Sequence, residues 1–368
     1  MALTLHGTVS DNTAVLDRKD AKPLVINGDM AVAQRATSAT GQTGSSYPVC
    51  DRWLTDIGTG GTWTVSQAAD APTGSGFRSS TKYDCTTANG SLSAGSFMTH
   101  QMRFEGQDLQ VFKKGTSSAE NFTVSFWVKS AKTGTYIVEL EDMDNTRQVS
   151  QAYTISSADT WEKKVLSFPA DTTGAFDNDN AASLHMFFWL LSGTTYASGT
   201  LSTTWTSKTN ANRAVGQVNL ADSTDNDWYI TGVQLEVGDF DANSIAPFQH
   251  ESFGDSLRRC QRYFQRIWEK NTCYFAMGFM FSASIGIGIS DLPVTMRTSP
   301  TLSTNSNSNQ FTFYRNGAAD SVSTFALNSA APTRASITNT TEMSGTAGHA
   351  GGWYATGADG IVNLVAEL

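Results

Sequence analysis

The chain has 368 residues, 39% of them hydrophobic and only 16% charged, against roughly a quarter charged in an average soluble domain. Its formal net charge of −9 argues against non-specific binding to a phosphate backbone. No stretch reaches the roughly 18 consecutive apolar residues that a membrane-spanning helix needs. Ser, Thr, Asn and 31 Gly fill the place of the missing charges, a composition of strands and turns rather than of solvent-facing helices. The class expected is mainly β, at a length that accommodates two or three domains of about 150 residues.

Residues 1–21 hold a short alternating stretch at Leu3-Thr4-Leu5, a polar turn at Ser10-Asp11-Asn12 and a charged cluster at Asp17-Arg18-Lys19-Asp20. They are too few to fold alone and read as an arm that docks on a neighbour. Met1 to Asp20 lacks the charged start and apolar run of a secretory signal. The four cysteines, Cys50, Cys85, Cys260 and Cys273, form no CxxC pair and read as reduced core residues.

Residues 22–250 read as one domain of repeated strands. Phe122–Lys129 alternates aromatic and branched residues with polar ones. Thr135–Leu140 follows the turn Lys132-Thr133-Gly134, which predicts a hairpin between the two. Further strands are expected at Trp63–Gln67, Gln148–Ile155, Trp161–Phe168, His185–Leu191 and Trp228–Val237, and a short helical piece at Glu105–Phe112. Many short strands bounded by Gly, Asp, Asn and Ser predict an antiparallel sandwich or jelly roll.

A helix follows over residues 251–270. Ser252 and Asp255 approximate a capping box, and Phe253, Leu257, Cys260, Phe264 and Ile267 are spaced as an a/d seam. Two heptads need support, either from the helix's own domain or from other copies around a symmetry axis. Residues 271–368 read as a smaller C-terminal β domain. Its strands are expected at Tyr274–Ile289, Gln310–Tyr314, Val322–Leu327, Ala335–Thr338 and Gly360–Glu367. The Ile-Gly alternation of residues 284–289 would allow close approach of another backbone.

Asn27-Gly28-Asp29-Met30 opens the first domain and Trp228-Tyr229-Ile230-Thr231-Gly232-Val233-Gln234-Leu235-Glu236 closes it. With the central Phe126-Trp127-Val128-Lys129, this set resembles the galactose-binding-like jelly rolls of carbohydrate-binding modules. The resemblance implies two packed antiparallel sheets with first and last strands side by side. It also implies a structural calcium near the opening turn, for which Asp29 and Glu236 are the matching acids. The run Pro247–Phe264, together with Leu292–Pro300 and the opening Val32-Ala33-Gln34-Arg35, is similar to a signature of bacteriophage tail fibres and related virion appendages. That resemblance implies a homotrimeric virion protein, made in the host cytoplasm. Its arm would bind other virion proteins, and its surface would bind host-cell glycan. A head fibre or capsid-decorating protein without a receptor role is the alternative, and a polysaccharide depolymerase is disfavoured.

Enzymatic motifs are missing from the sequence. The acids Glu139, Glu141, Asp142 and Asp144 cluster at a strand end, and Asp177, Asp179, Asp222, Asp225 and Asp227 fall in loops, where acids are usually solvated or turn-forming. Asp177-Asn178-Asp179-Asn180 lacks the Gly and distant Glu of an EF-hand loop. The five His are scattered, and no GxSxG elbow or P-loop occurs. No catalytic residue is expected and no cofactor is required. Aromatic residues make up 11% of the chain and are the better binding candidates, because sugar rings stack on exposed aromatic faces. Trp127, Trp189 and Trp228 read as core. Trp63, Tyr196, Trp205, Trp353 and Tyr354 lie among Gly, Ser and Thr and read as surface contacts for glycan or for another subunit.

Overall fold

A computed structural model of the chain describes residues 22–269, 274–304, 311–355 and 360–368. It divides into two compact units, one ending at Ser252 and the other beginning at Phe253. The expected arm over residues 1–21 lies outside the described residues.

The first unit is built on two antiparallel six-stranded sheets. From edge to edge, the first sheet is Ser38–Gln42 (β1), Thr62–Ala68 (β3), Ser80–Thr87 (β4), Asp227–Val237 (β12), Phe122–Ser130 (β6) and Glu162–Phe168 (β9). The second is Thr206–Ser207 (β11), Arg147–Ile155 (β8), Gly134–Asp142 (β7), Ala182–Ser192 (β10), Phe97–Glu105 (β5) and Leu54–Gly58 (β2). The chain passes repeatedly from one sheet to the other, and the result is a jelly-roll sandwich, as the composition predicts. Strand alternation explains the interior. Val124, Phe126 and Val128 of β6 and Leu184, Met186, Phe188 and Leu190 of β10 all join one buried cluster with Trp63 and Trp228. His100 lies in the same layer, stacked 4.4 Å from Trp53 and accepting or donating at 2.8 Å to the Tyr83 hydroxyl. Burial lowers its pKa to about 3.

Several local expectations are corrected. β6 and β7 do not form a hairpin: β6 pairs with β12 and β9, while β7 pairs with β8 and β10. Phe126 and Tyr136 both point inward, onto Tyr153 between them. The connecting turn therefore crosses from one layer to the other. The true hairpin is β7–β8, in continuous register from Gly134↔Ile155 to Asp142↔Arg147. The short helical piece expected at Glu105–Phe112 does form, as two 3-10 turns, Gly106–Asp108 and Gln110–Phe112. The opening Asn27-Gly28-Asp29 is a turn, and β1 pairs with β3, not with the last strand. Asn27 takes φ 58°. Its side chain accepts from Val32 N and donates to Val32 O and Asp51 O, each at 2.9 Å. A Cβ on Gly28 would lie 2.1 Å from Val233 O, so only glycine lets this turn clasp β12, where Val233 N donates to Gly28 O at 2.9 Å. The motif's contact with the closing strand is real, but it is made by a turn.

A lysine is fully enclosed in this unit. The Lys114 ammonium, with no exposed side-chain surface, donates to Asp142 Oδ2 at 2.5 Å, Gly174 O at 2.7 Å and Thr173 O at 3.0 Å, and it pairs with Asp171 at 3.0 Å.

The second unit holds a seven-stranded antiparallel sheet. Its order is Ala318–Val322 (β18), Phe311–Arg315 (β17), Ala350–Ala355 (β21), Tyr274–Met280 (β14), Gly286–Asp291 (β15), Arg334–Asn339 (β20) and Ala326–Ala331 (β19). A three-stranded sheet joins Phe264–Glu269 (β13), Ile361–Val365 (β22) and Thr301–Thr304 (β16). Met280, Phe313, Ile337, Trp353 and Val362 form the core. The expected strand Tyr274–Ile289 is a hairpin of β14 and β15. Gly286 and Gly288 face inward, and a Cβ on Gly288 would lie 2.2 Å from Trp353 Cδ1. The small residues thus admit an indole ring rather than a backbone.

The helix expected to Lys270 ends at Gln261 and spans only Phe253–Gln261. The aromatic and branched run Tyr263 to Trp268 pairs with β22 instead, Phe264 opposite Val365. Strand pairing of such residues outweighs extension of a short, marginal helix. The seam is therefore not a helical stripe. Phe253 is 61% exposed, Cys260 is buried, and Phe264 and Ile267 belong to a strand. Cys50, Cys85 and Cys260 are buried, and burial pushes the Cys50 thiol up to about 12; Cys273 lies outside the described residues.

Candidate functional site

The outward face of the second six-stranded sheet carries a cleft of about 230 Å³. Register builds it. His185 on β10 lies between Arg103 on β5 and Glu141 on β7, and Phe187 lies between Gln101 and Glu139. Trp189 is opposite Thr99, which is in turn opposite Asp56 on β2. One face of β10 therefore reads His, Phe, Trp, while its other face enters the core. The loop after β10 partly covers this surface. A Cβ on Gly193 would lie 2.1 Å from Ser93 O, so the loop leaves the strand by a route only glycine permits. Ala214 N then donates to Tyr196 O at 2.8 Å, which fixes Tyr196 beside Arg213.

An ion network forms one wall. Arg213 Nε donates to Glu139 Oε1 and Arg213 Nη2 to Glu141 Oε2, both at 2.8 Å. Trp189 Nε1 donates to Glu139 Oε2 at 2.9 Å, and Lys208 Nζ donates to Glu141 Oε1. The guanidinium carbon lies 5.1 Å from the Phe187 ring centre, 5.3 Å from Trp189 and 5.9 Å from Tyr196. Burial alone would lower the Arg213 pKa, but Glu139 and Glu141 reverse this and hold it above its ordinary value. Desolvating such charges costs several kcal/mol, so the network locks the aromatic wall in one geometry at some expense to stability.

Two groups in the cleft keep unused hydrogen-bonding capacity. Gln101 is 2% exposed, and its amide donates to Thr99 Oγ1 at 2.7 Å and Asp56 Oδ2 at 3.3 Å. Its carbonyl oxygen has no hydrogen-bond partner among the described residues. His185 is 8% exposed and touches Phe187 at 5.8 Å between ring centres, and no hydrogen bond from a described residue reaches its ring. Burial, with Arg103, Lys208 and Arg213 nearby, lowers its pKa to about 3, so the imidazole is neutral and offers one donor and one acceptor.

The sequence-based candidates fare unevenly. Tyr196 lines this cleft. Trp63, Trp205 and Trp353 are buried and are corrected from surface to core. Trp63 Nε1 donates to Gly60 O, and Trp205 Nε1 to Pro169 O, each at 2.8 Å. Tyr354 is partly buried on the second unit's sheet, 5.3 Å from Tyr274 and 5.5 Å from Tyr314. Asp29 sits in the opening turn, where burial raises its pKa. Glu236 is buried on β12, opposite Thr123. Among the described residues no group of three or more His, Cys, Asp or Glu side chains gathers as a metal site. The loop acids cap turns or pair with lysines: Asp144 accepts from Asp177 N at 2.9 Å, Asp179 from Ala181 N at 2.8 Å, and Asp222 pairs with Lys132.

No family model matches the chain, and no curated protein matches it. Solved structures do. One is the enzymatically active domain of tailspike protein 4 from bacteriophage CBA120, at 15% identity and TM-score 0.29, covering 58% of this chain. The match spans only about a fifth of that tailspike's length, 21%. Another is the carbohydrate-binding module TmCBM61 in complex with β-1,4-galactotriose, at 8% identity and TM-score 0.30, covering 58% of this chain and 98% of the module. A third is described as a "putative sugar binding protein" from Bacteroides thetaiotaomicron VPI-5482, at 13% identity and TM-score 0.30, covering 59% of this chain and all of that one.

Proposed function

We propose that the first unit binds a glycan in the cleft between Tyr196, Gln101 and His185, without cleaving it. The observation that carries this reading is a contrast within one cleft. Phe187, Trp189, Tyr196, Gln101 and His185 line it, with the Gln101 carbonyl and the His185 ring uncommitted among the described residues, while all four oxygens of Glu139 and Glu141 are bonded to Arg213, Lys208 or Trp189. A sugar presents C–H faces for the rings and hydroxyls for Gln101 and His185. A catalytic acid pair would need a carboxyl free to transfer a proton, and this pair has none.

The wider role we propose is that of a bacteriophage tail-fibre subunit, assembled as a homotrimer and held in the virion by residues 1–21. The sequence resemblance over residues 228–300 supports it. Display in three copies would multiply weak single-site contacts by avidity. A glycan array of bacterial surface polysaccharides, probed with the full chain and with Tyr196→Ala, tests the first part. Binding lost in the variant is expected, and an array silent for the native chain overturns the reading. Electron microscopy of labelled virions tests the second, because label on the capsid would favour the head-fibre alternative. Loss of polymer viscosity on incubation would overturn the absence of turnover.

A further inference from the structure

The second unit leaves one sheet face bare. Eight large hydrophobic side chains are exposed among the described residues, and seven of them belong to this unit. Six cluster around one hairpin and its neighbour: Tyr274, Met277, Phe279, Phe281, Ile289 and Tyr314, each between 39% and 63% exposed. Register makes them contiguous. Ile289 is opposite Met277, Met277 opposite Gly352, and Gly352 opposite Tyr314, a row crossing β15, β14, β21 and β17. Phe279 and Ile287 form the adjoining row. Gly352 has no side chain, and an open depression of about 590 Å³ lies there, bordered by Tyr274, Met277 and Tyr314. A Cβ there would lie 2.7 Å from the Tyr274 ring and 3.0 Å from Met277 Sδ, so both side chains lie down across the strand.

We propose that this face is the contact through which the chain associates with a second copy of itself. The occupant follows from polarity and charge. Four of the six, Met277, Phe279, Phe281 and Ile289, offer a hydroxylated ligand no hydrogen bond, and only Tyr274 and Tyr314 carry a hydroxyl, so a sugar spread across the face would give up hydration with little compensation. An apolar sheet face suffers no such loss, and broad apolar patches poor in charge are the mark of homo-oligomer contacts. The chain carries a net charge of −9, so two copies repel unless they meet on an uncharged surface. This face meets that condition. Along β15 and β20 its outward positions carry charge only at the rim, as the pair Asp291 and Arg334, 2.6 Å apart and both more than half exposed. The rim pair is neutral overall, so it adds no repulsion between copies at the edge of the contact. The inference deepens the oligomeric part of the proposed function by moving the contact from the helix to the sheet, and it does not depend on the glycan cleft.

Sedimentation velocity of the full chain over a range of concentrations tests it, beside Met277→Glu and Ile289→Lys. The native chain is expected to associate, and each variant to sediment as monomer with the circular dichroism spectrum of the native fold. A native chain that stays monomeric at its highest soluble concentration overturns this contact and the trimer together. Native and variant chains associating equally overturns the sheet contact alone. Oxidative footprinting gives a second readout: Met277 is expected to be protected in the native oligomer, and full reactivity there counts against the contact.

Discussion

The outward sheet faces of the two units make a useful pair. Both are antiparallel, both are aromatic, and both present rings in neighbouring strands. On the first, a loop carrying Tyr196 and Arg213 partly covers the surface, every carboxylate oxygen of Glu139 and Glu141 is engaged, and Gln101 and His185 keep spare hydrogen-bonding capacity. On the second, Met277, Phe279 and Ile289 are exposed, and among the described outward positions of β15 and β20 charge is confined to the Asp291–Arg334 rim. Aromatic content alone therefore does not mark a ligand site. What separates the two faces is whether polar groups are available and held in place.

Breaking the network on the first face should have the largest effect. Arg213→Ala leaves Glu139 and Glu141 buried without their shared cation. A loss of about 3–5 kcal/mol in the first unit is expected from a broken buried ion pair, measured by chemical denaturation, together with loss of glycan binding. The pH response should separate the units next. His100 and His185 have pKa values lowered to about 3 in the fold, while in the unfolded chain they protonate near 6.5. The unfolded state thus binds more protons between those values, and stability falls as pH drops through that window. About 1.5 kcal/mol per histidine should be lost between pH 6.5 and 5. Thermal melts should show the first unit alone responding, and a second unit that responds equally would refute the assignment.

A smaller effect is expected for Tyr196→Ala. Glycan affinity should drop about tenfold, equivalent to about 1.4 kcal/mol, with the fold intact by circular dichroism. On the other face Met277→Glu should change the stability of the dissociated chain by less than about 0.5 kcal/mol, since Met277 is exposed there. The smallest expected effect concerns the calcium we propose at Asp29 and Glu236 from the sequence resemblance. Added calcium should raise the melting temperature of the first unit by about one degree, and an unchanged melt across a calcium titration would end that proposal.

Much of the sandwich was legible, because the turns between its strands are marked by Gly, Asp and Asn. The cleft was not. In His185-Met186-Phe187-Phe188-Trp189 both faces are aromatic or apolar, so alternation gives no sign of which faces out. The informative residues were the partners, Glu139 and Glu141 on one neighbour and Gln101 and Arg103 on the other, and pairing between such distant strands is not written in either. Trp63 and Trp353 misled for a related reason. The glycines beside them suggested exposed turns, yet the Gly288 gap is what lets Trp353 enter the core. The helix erred through seven-residue spacing alone, since Phe264 and Ile267 fit a seam and a strand equally well.

The enclosure of Lys114 has a practical consequence. Its amine is wrapped by two carboxylates and two carbonyls with no exposed surface, so an acylating reagent should modify the more open Lys113, 52% exposed, long before its neighbour. Adjacent lysines of opposite accessibility give the first unit an internal clock: the ratio of label on Lys114 to label on Lys113, read by mass spectrometry, reports how often this part of the sandwich opens.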